Sequence, residues 1–129
     1  MKKAFEQAGV WALMRQRVSV AKYTHKGDPL TIDCSYQPNG EIKMFHAVSL
    51  ETDVSVTKDL AFSYPRLVKG LADQQHVGAV LTAVVEDNLD RADEAISFGL
   101  AMLEESKILV QPTKDLPDIA KAVQYELKA

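Results

Sequence analysis

The sequence has a single cysteine, Cys34, so no disulfide can form within the chain. A lone thiol fits a reducing compartment. Long hydrophobic runs are also missing: the longest, residues 77–85, is broken by a glycine and a threonine and is far shorter than the ~20 residues that cross a bilayer. Near the N-terminus, Glu6 and Gln7 interrupt what would be the apolar part of a secretory leader. These features predict a cytoplasmic protein without a membrane span.

Motifs for the familiar chemistries are missing as well. The six glycines are scattered, and no phosphate-binding loop or Gly-x-Ser-x-Gly elbow occurs. His25, His46 and His76 lie on different predicted elements without ligand spacing, and Cys34 has no identifiable base beside it. We therefore predict structural roles for these residues, and no cofactor-binding residue.

Charge is unevenly distributed along the chain. Residues 1–27 hold six lysines and arginines against Glu6 alone, although the whole chain has a net charge of −3. Arg15, Arg17, Lys22 and Lys26 are accordingly weak candidates for nucleic-acid binding. A solvated helix and edge strand would show the same pattern, and this is the preferred interpretation.

Size and composition indicate one ordinary globular unit. The chain has 129 residues, of which 47% are hydrophobic and 26% are charged. These values are close to globular averages, and no repeat, low-complexity tract or flexible linker divides the sequence. We predict a single domain over residues 1–129.

Hydrophobic periodicity predicts nine elements in the order α-β-β-β-α-β-α-β-α. The first helix covers residues 3–14, with Gly9 as a weak point, and the fifth element is a helix capped by Asp53 with a kink or restart at Pro65. The other predicted elements are strands at 17–23, 30–36, 41–48, 77–85 and 108–110, and helices at 90–105 and after Asp115.

The turn around Pro38-Asn39-Gly40 sets the register of the second and third strands. A three-residue bulged turn would place Cys34 opposite Met44 and collect the apolar residues on one face. A two-residue turn would place Cys34 opposite Phe45 and scatter them over both faces. We favour the bulged turn.

Connection lengths then predict the fold class. Tight turns make the first three strands an antiparallel meander, whereas the later strand–helix–strand units need parallel crossovers. The fold is expected to be α+β (mixed α/β), with a mixed sheet and helices on both faces. Phe45 and Ala47 support this arrangement, because a helix would be needed to cover them.

The order α-β-β-β-α-β resembles the core of restriction-endonuclease-like nucleases. That resemblance implies an Mg²⁺ site formed by Asp33 with Glu41-Ile42-Lys43. In the favoured register, however, Asp33 and Glu41 are roughly 13 Å apart, which is too far for one metal. A nuclease or nucleic-acid-binding domain with a degenerate site is therefore the alternative hypothesis.

Five carboxylates lie between Glu86 and Glu94, where a strand ends and a helix begins. Asp87, Asp90 and Asp93 are weak candidates for metal ligands. Acidic residues in a first helical turn also stabilise the helix without any ligand, and their spacing does not match an EF-hand. Helix capping is the preferred interpretation.

Several segments resemble the C-terminal part of an uncharacterised bacterial family, the domain of unknown function 3037. They are residues 5–11 (FEQAGVW), 27–30 (GDPL), 36–40 (YQPNG) and 45–50 (FHAVSL). The resemblance implies a bacterial source and a possible N-terminal half in a longer parent chain, which the basic first 27 residues would contact. It implies no catalytic residues.

Because no set of polar residues converges in the sequence, we predict a non-catalytic interaction or regulatory module. Its partner would be another protein or the N-terminal half of a parent chain. No cofactor is predicted, apart from Mg²⁺ under the nuclease alternative.

Overall fold

A computed structural model describes residues 1–128. The helices are α1 (Lys2–Gln7), α2 (Val54–Gln75), α3 (Glu94–Glu105) and α4 (Leu116–Lys128), and 3₁₀ turns lie at Trp11–Leu13 and Thr113–Asp115. The strands are β1 (Arg15–Ser19), β2 (Thr31–Tyr36), β3 (Glu41–Ala47), β4 (Gly78–Val85) and β5 (Leu109–Pro112). The predicted order of helices and strands is confirmed. Within residues 1–128, no helix has the length and apolar character needed to cross a membrane.

The five strands form one mixed sheet in the order β1-β2-β3-β4-β5, which is also their order along the chain. β1, β2 and β3 pair in antiparallel fashion. β4 and β5 add in parallel through the crossover helices α2 and α3. The predicted α+β class and antiparallel meander are confirmed.

Two hydrophobic cores lie on opposite faces of the sheet. In the first core, Met44 and Leu81 of the sheet pack with Leu60 of α2 and Leu103 of α3. The second core joins the other face to α1 and α4, and its buried members are Phe5, Val10, Met14, Cys34, Tyr36, Phe45, Ala120 and Val123. Helices therefore cover both faces, as predicted.

The predicted register of the β2–β3 hairpin is wrong by one residue. Cys34 pairs with Phe45, and Tyr36 pairs with Lys43. Gly40 does not adopt a positive φ, so the left-handed residue that the bulged turn required is not present there. The prediction gathered apolar residues on one face, whereas β3 is buried on both faces: Met44 lies in the first core and Phe45 in the second.

The N-terminal elements also differ from the prediction. The helix expected over residues 3–14 ends at Gln7, because Gly9 adopts a left-handed φ of +72°. β1 begins at Arg15 and ends at Ser19, earlier than the predicted strand at 17–23. Its middle residue, Arg17, has a φ of 51°, which interrupts the regular extended backbone.

Helices α2 and α3 begin at aspartate caps. The Asp53 carboxylate accepts the Ser55 N–H at 2.9 Å, as predicted for α2. Pro65 lies inside α2, which continues through it, so the helix does not restart there. α3 begins at Glu94 rather than near Asp90, because it is Asp93 that caps its first N–H groups.

Glu86 fixes the connection between β3 and α2. Its carboxylate accepts hydrogen bonds from the Ser49 hydroxyl at 2.7 Å, the Leu50 N–H at 2.9 Å and the Glu51 N–H at 3.2 Å. Burial opposes ionisation of Glu86, but these donors outweigh it and lower the pKa. The end of β4 thus holds the loop that leads into α2.

The loop between β1 and β2 crosses α2 at Gly70. A Cβ atom at this position would lie 2.8 Å from the carbonyl carbon and 2.9 Å from the Cα of Tyr23. The Gln74 amide donates to the Lys22 carbonyl at 3.0 Å, and the Gln75 amide donates to the Tyr23 hydroxyl at 2.6 Å. The crossing brings the rest of this loop alongside α2.

Candidate functional site

The three residues of the hypothetical nuclease site are not brought together. The β2–β3 register places Asp33 level with His46, five positions from Glu41, which corresponds to roughly 17 Å at the rise of a strand. Asp33 accepts the Ala47 N–H at 2.8 Å, and Lys43 Nζ donates to both Glu126 oxygens at 3.0 and 3.1 Å. This separation is several times the 2.0 to 2.6 Å at which carboxylates ligate Mg²⁺ or Ca²⁺, so Asp33 and Glu41 cannot share one ion.

The acidic segment after β4 bonds to nearby backbone. Asp87 accepts the Lys114 N–H at 2.8 Å, Asp90 accepts the Ala92 N–H at 3.0 Å, and Asp93 caps α3. Within residues 1–128, the structure brings no three His, Cys, Asp or Glu side chains together in a group that could hold a metal ion. The predicted ligands Asp87, Asp90 and Asp93 therefore form no such group.

The four basic candidates occupy different settings. Arg15 and Arg17 lie exposed on β1, which is an edge strand of the sheet. Charged side chains on an edge strand oppose pairing with a second sheet. Lys22 Nζ lies 5.4 Å from the centre of the Tyr23 ring, and Lys26 lines a cleft beside α2.

That cleft has a volume of about 730 Å³ and lies between the β1–β2 loop and the first turns of α2. We call it the loop–helix cleft. Its volume falls within the range of ordinary ligand sites. The lining residues are His25 to Thr31 of the loop, His46 at the end of β3, and Val56, Asp59, Phe62, Ser63 and Arg66 of α2.

Asp28 holds the loop wall of the cleft against α2. Its carboxylate accepts hydrogen bonds from the Thr24 hydroxyl at 2.7 Å, the Ser63 hydroxyl at 2.9 Å and the Leu30 N–H at 3.0 Å. Burial raises the pKa of Asp28, but the three donors more than offset it, so the pKa is lowered. Asp28 thus acts as an ionised support, and the neighbouring Gly27, with a φ of +92°, allows the chain to turn into it.

His46 forms part of the wall at the end of β3. Its Nδ1 accepts the Asp33 N–H at 3.2 Å, which assigns the neutral tautomer with the proton on Nε2. Burial lowers the pKa of His46, and the charge of Asp33 opposes this shift only in part. A neutral ring that bonds to the backbone and faces a cleft can donate one hydrogen bond to an occupant.

An exposed aromatic residue marks the α2 rim of the cleft. Phe62 is 62% exposed, and the Arg66 guanidinium stacks 3.9 Å from the centre of its ring. Arg66 is fixed in this position because its Nη1 donates to the Phe62 carbonyl at 2.7 Å. Phe98 of α3 is a second exposed aromatic, at 46%, with Lys58 Nζ 5.8 Å from its ring centre.

Sequence reasoning did not single out Phe62 and Arg66. The available signal was the position of Phe62 off the apolar stripe of α2, whose buried members include Leu60, Tyr64 and Leu67. A large aromatic on the solvent side of an amphipathic helix has no role in the core.

Comparisons of this chain with protein-family models, with curated proteins and with solved structures find no match. The resemblance to the domain of unknown function 3037 stays a prediction.

Proposed function

We propose that this chain is a non-catalytic interaction module that binds a segment of a partner protein along the loop–helix cleft. The observation that carries the proposal is the exposed Phe62 with Arg66 stacked on its ring. Aromatic and arginine side chains are enriched at the centre of protein interfaces and supply much of their binding energy.

The lining of the cleft indicates the chemistry of the partner. Pro29, Leu30 and Val56 provide apolar contacts next to Phe62. Two positively charged side chains, Lys26 and Arg66, line the cleft beside them. Asp28 and Asp59 add two negative charges to the lining, so Lys26 and Arg66 do not give the cleft a net positive charge. Arg66 is stacked on the exposed Phe62, so the surface favours an apolar residue with an acidic neighbour at this point.

The length of the segment follows from the helix that lines the cleft. Val56 and Arg66 are ten residues apart on α2, which corresponds to about 15 Å along the helix axis. An extended chain covers that distance with about five residues. A short acidic–apolar segment in extended form is thus the occupant that fits.

A peptide-display library tests this proposal. Enriched ten-residue peptides would be synthesised and their affinity measured by fluorescence anisotropy for the wild type, Phe62→Ser and Arg66→Glu. Tyr125→Ser is the matched control, because Tyr125 is 78% exposed on α4, which covers the opposite face of the sheet.

We expect the enriched peptides to combine acidic with aromatic or aliphatic residues. Loss of a central aromatic typically costs 2 kcal/mol or more, so Phe62→Ser should weaken binding by about 30-fold or more. Arg66→Glu should also weaken it, and Tyr125→Ser should leave it unchanged. The proposal fails if no peptide is enriched, or if Phe62→Ser binds the enriched peptides as tightly as Tyr125→Ser does.

A further inference from the structure

A second, smaller pocket lies between the sheet and the C-terminal half of α2. We call it the sheet pocket; its volume is about 220 Å³. Its apolar wall comes from Val18, Ile42 and Met44 of the sheet and from Leu67 and Leu71 of α2. A dry cavity of ~150 Å³ accommodates benzene, so this pocket has room for about nine non-hydrogen atoms.

One charged side chain lines the sheet pocket, and it is Arg15. Arg15 pairs across the strands with Ser35, and Ser35 pairs in turn with Met44. Such cross-strand partners lie on the same face of a sheet with their Cβ atoms about 5 Å apart. Arg15, Ser35 and Met44 therefore form one row across the sheet, and Met44 belongs to the apolar wall of the pocket. Ser35 lines the pocket and is only 3% exposed, so this residue is shielded from bulk solvent.

Tyr23 adds a further donor at the opposite wall. Its hydroxyl oxygen accepts the Gln75 amide N–H at 2.6 Å, which leaves the tyrosine proton available to an acceptor in the pocket. Among the described residues, no aspartate or glutamate lines this pocket. Its polar part thus combines one permanent positive charge with neutral hydroxyl and amide groups.

We infer that the sheet pocket is a binding site for a small monocarboxylate with an apolar body, such as an aromatic or medium-chain aliphatic acid. The carboxylate of the ligand accepts hydrogen bonds from Arg15. The planar guanidinium group of Arg15 can donate to both carboxylate oxygens at once. The apolar body enters between the sheet and α2. The pocket is too small for a nucleotide, and a single arginine in an apolar wall suits one negative charge better than a phosphate dianion.

Amide chemical shifts of the ¹⁵N-labelled chain, titrated with sodium benzoate and with sodium hexanoate, test this inference. Benzamide serves as the neutral probe of the same shape as benzoate. Arg15→Gln removes the charge, and Arg17→Gln is the matched control, since Arg17 lies on the same strand but does not line the pocket.

We expect both acids to shift resonances of β1, β2 and the C-terminal half of α2 in a saturable way. Arg15→Gln should raise Kd for benzoate at least tenfold, Arg17→Gln should leave it unchanged, and benzamide should bind more weakly than benzoate. Two results would overturn the inference: no saturable shift at millimolar concentrations of either acid, or the same Kd for Arg15→Gln and Arg17→Gln. Since the proposed peptide surface uses different residues, neither result bears on the loop–helix cleft.

Discussion

The crossing of the β1–β2 loop over α2 makes Gly70 the residue of this chain whose substitution is most informative. An alanine inside a helix normally stabilises it by ~1 kcal/mol relative to glycine. At position 70, however, the added methyl group would meet the carbonyl carbon and Cα of Tyr23 at 2.8 and 2.9 Å, and would approach the Tyr23 carbonyl oxygen even more closely. Both partners are backbone, so relief requires the loop to move away from the helix.

The magnitude follows from three contributions. Overpacking lowers the free energy of unfolding by up to ~3 kcal/mol, and the weakened hydrogen bonds from Gln74 and Gln75 lower it by ~1 kcal/mol. The higher helix propensity of alanine raises it by ~1 kcal/mol. We expect Gly70→Ala to lower the free energy of unfolding by about 3 kcal/mol, which corresponds to a fall in Tm of roughly 10 °C for a chain of this length.

Urea unfolding followed by circular dichroism measures this loss. Gly40→Ala is the matched control, because the Cβ added at Gly40 meets no atom within 4 Å and Gly40 does not have a positive φ. The control should be as stable as the wild type or slightly more stable. If Gly70→Ala is no less stable than Gly40→Ala, the loop does not rest on the helix as described, and the reasoning is refuted.

Four further outcomes follow from individual side chains. The Thr57 hydroxyl is buried with no hydrogen-bond partner among residues 1–128, so Thr57→Val should raise the free energy of unfolding by ~1 kcal/mol; a lower urea midpoint would contradict this. Since the pKa of Glu86 is lowered in the folded chain, its contribution to stability is complete above its ordinary pKa of 4.5 and is lost as the pH falls through the folded value. Glu86→Gln should therefore flatten the dependence of stability on pH below about 5, and an unchanged slope in acid titrations would show that Glu86 is not the group responsible. Burial raises the pKa of Cys34 to about 12, so an aromatic disulfide reagent should react with this thiol only when urea unfolds the chain, and fast reaction of the native protein would contradict its placement in the second core. Labelled DNA and RNA incubated with Mg²⁺ or Mn²⁺ should stay intact, whereas metal-dependent cleavage that is lost in Asp33→Ala would establish the nuclease alternative.

The sequence predicted the order of elements well because that order depends on local signals. Hydrophobic periodicity placed the helices and strands, and Asp53 was correctly chosen as the cap of α2. Connection lengths then gave the antiparallel meander and the parallel crossovers, since only a long connection can return a strand in the same direction.

The register of the β2–β3 hairpin and the position of the candidate site were harder to predict, because both depend on contacts between residues that are distant in the sequence. The favoured register was chosen to gather the apolar residues of the hairpin on one face, and it failed because β3 also buries Phe45 on the other face, under α1 and α4. The loop–helix cleft likewise depends on where the β1–β2 loop crosses α2. Gly70 permits that crossing, but a lone glycine in a helical pattern does not reveal which backbone passes over it.

The second core joins the first and last helices of the chain, Phe5 of α1 with Ala120 and Val123 of α4, against a sheet whose strands follow chain order. Each strand can therefore pair with its predecessor as soon as it is synthesised, and such local pairing favours rapid folding. The second core must wait, because α4 follows all five strands in the sequence. Until α4 docks, Phe45 and Cys34 remain without their cover, so the nascent chain would expose one face of the sheet. The docking of α4 is thus the step that covers this face of the sheet.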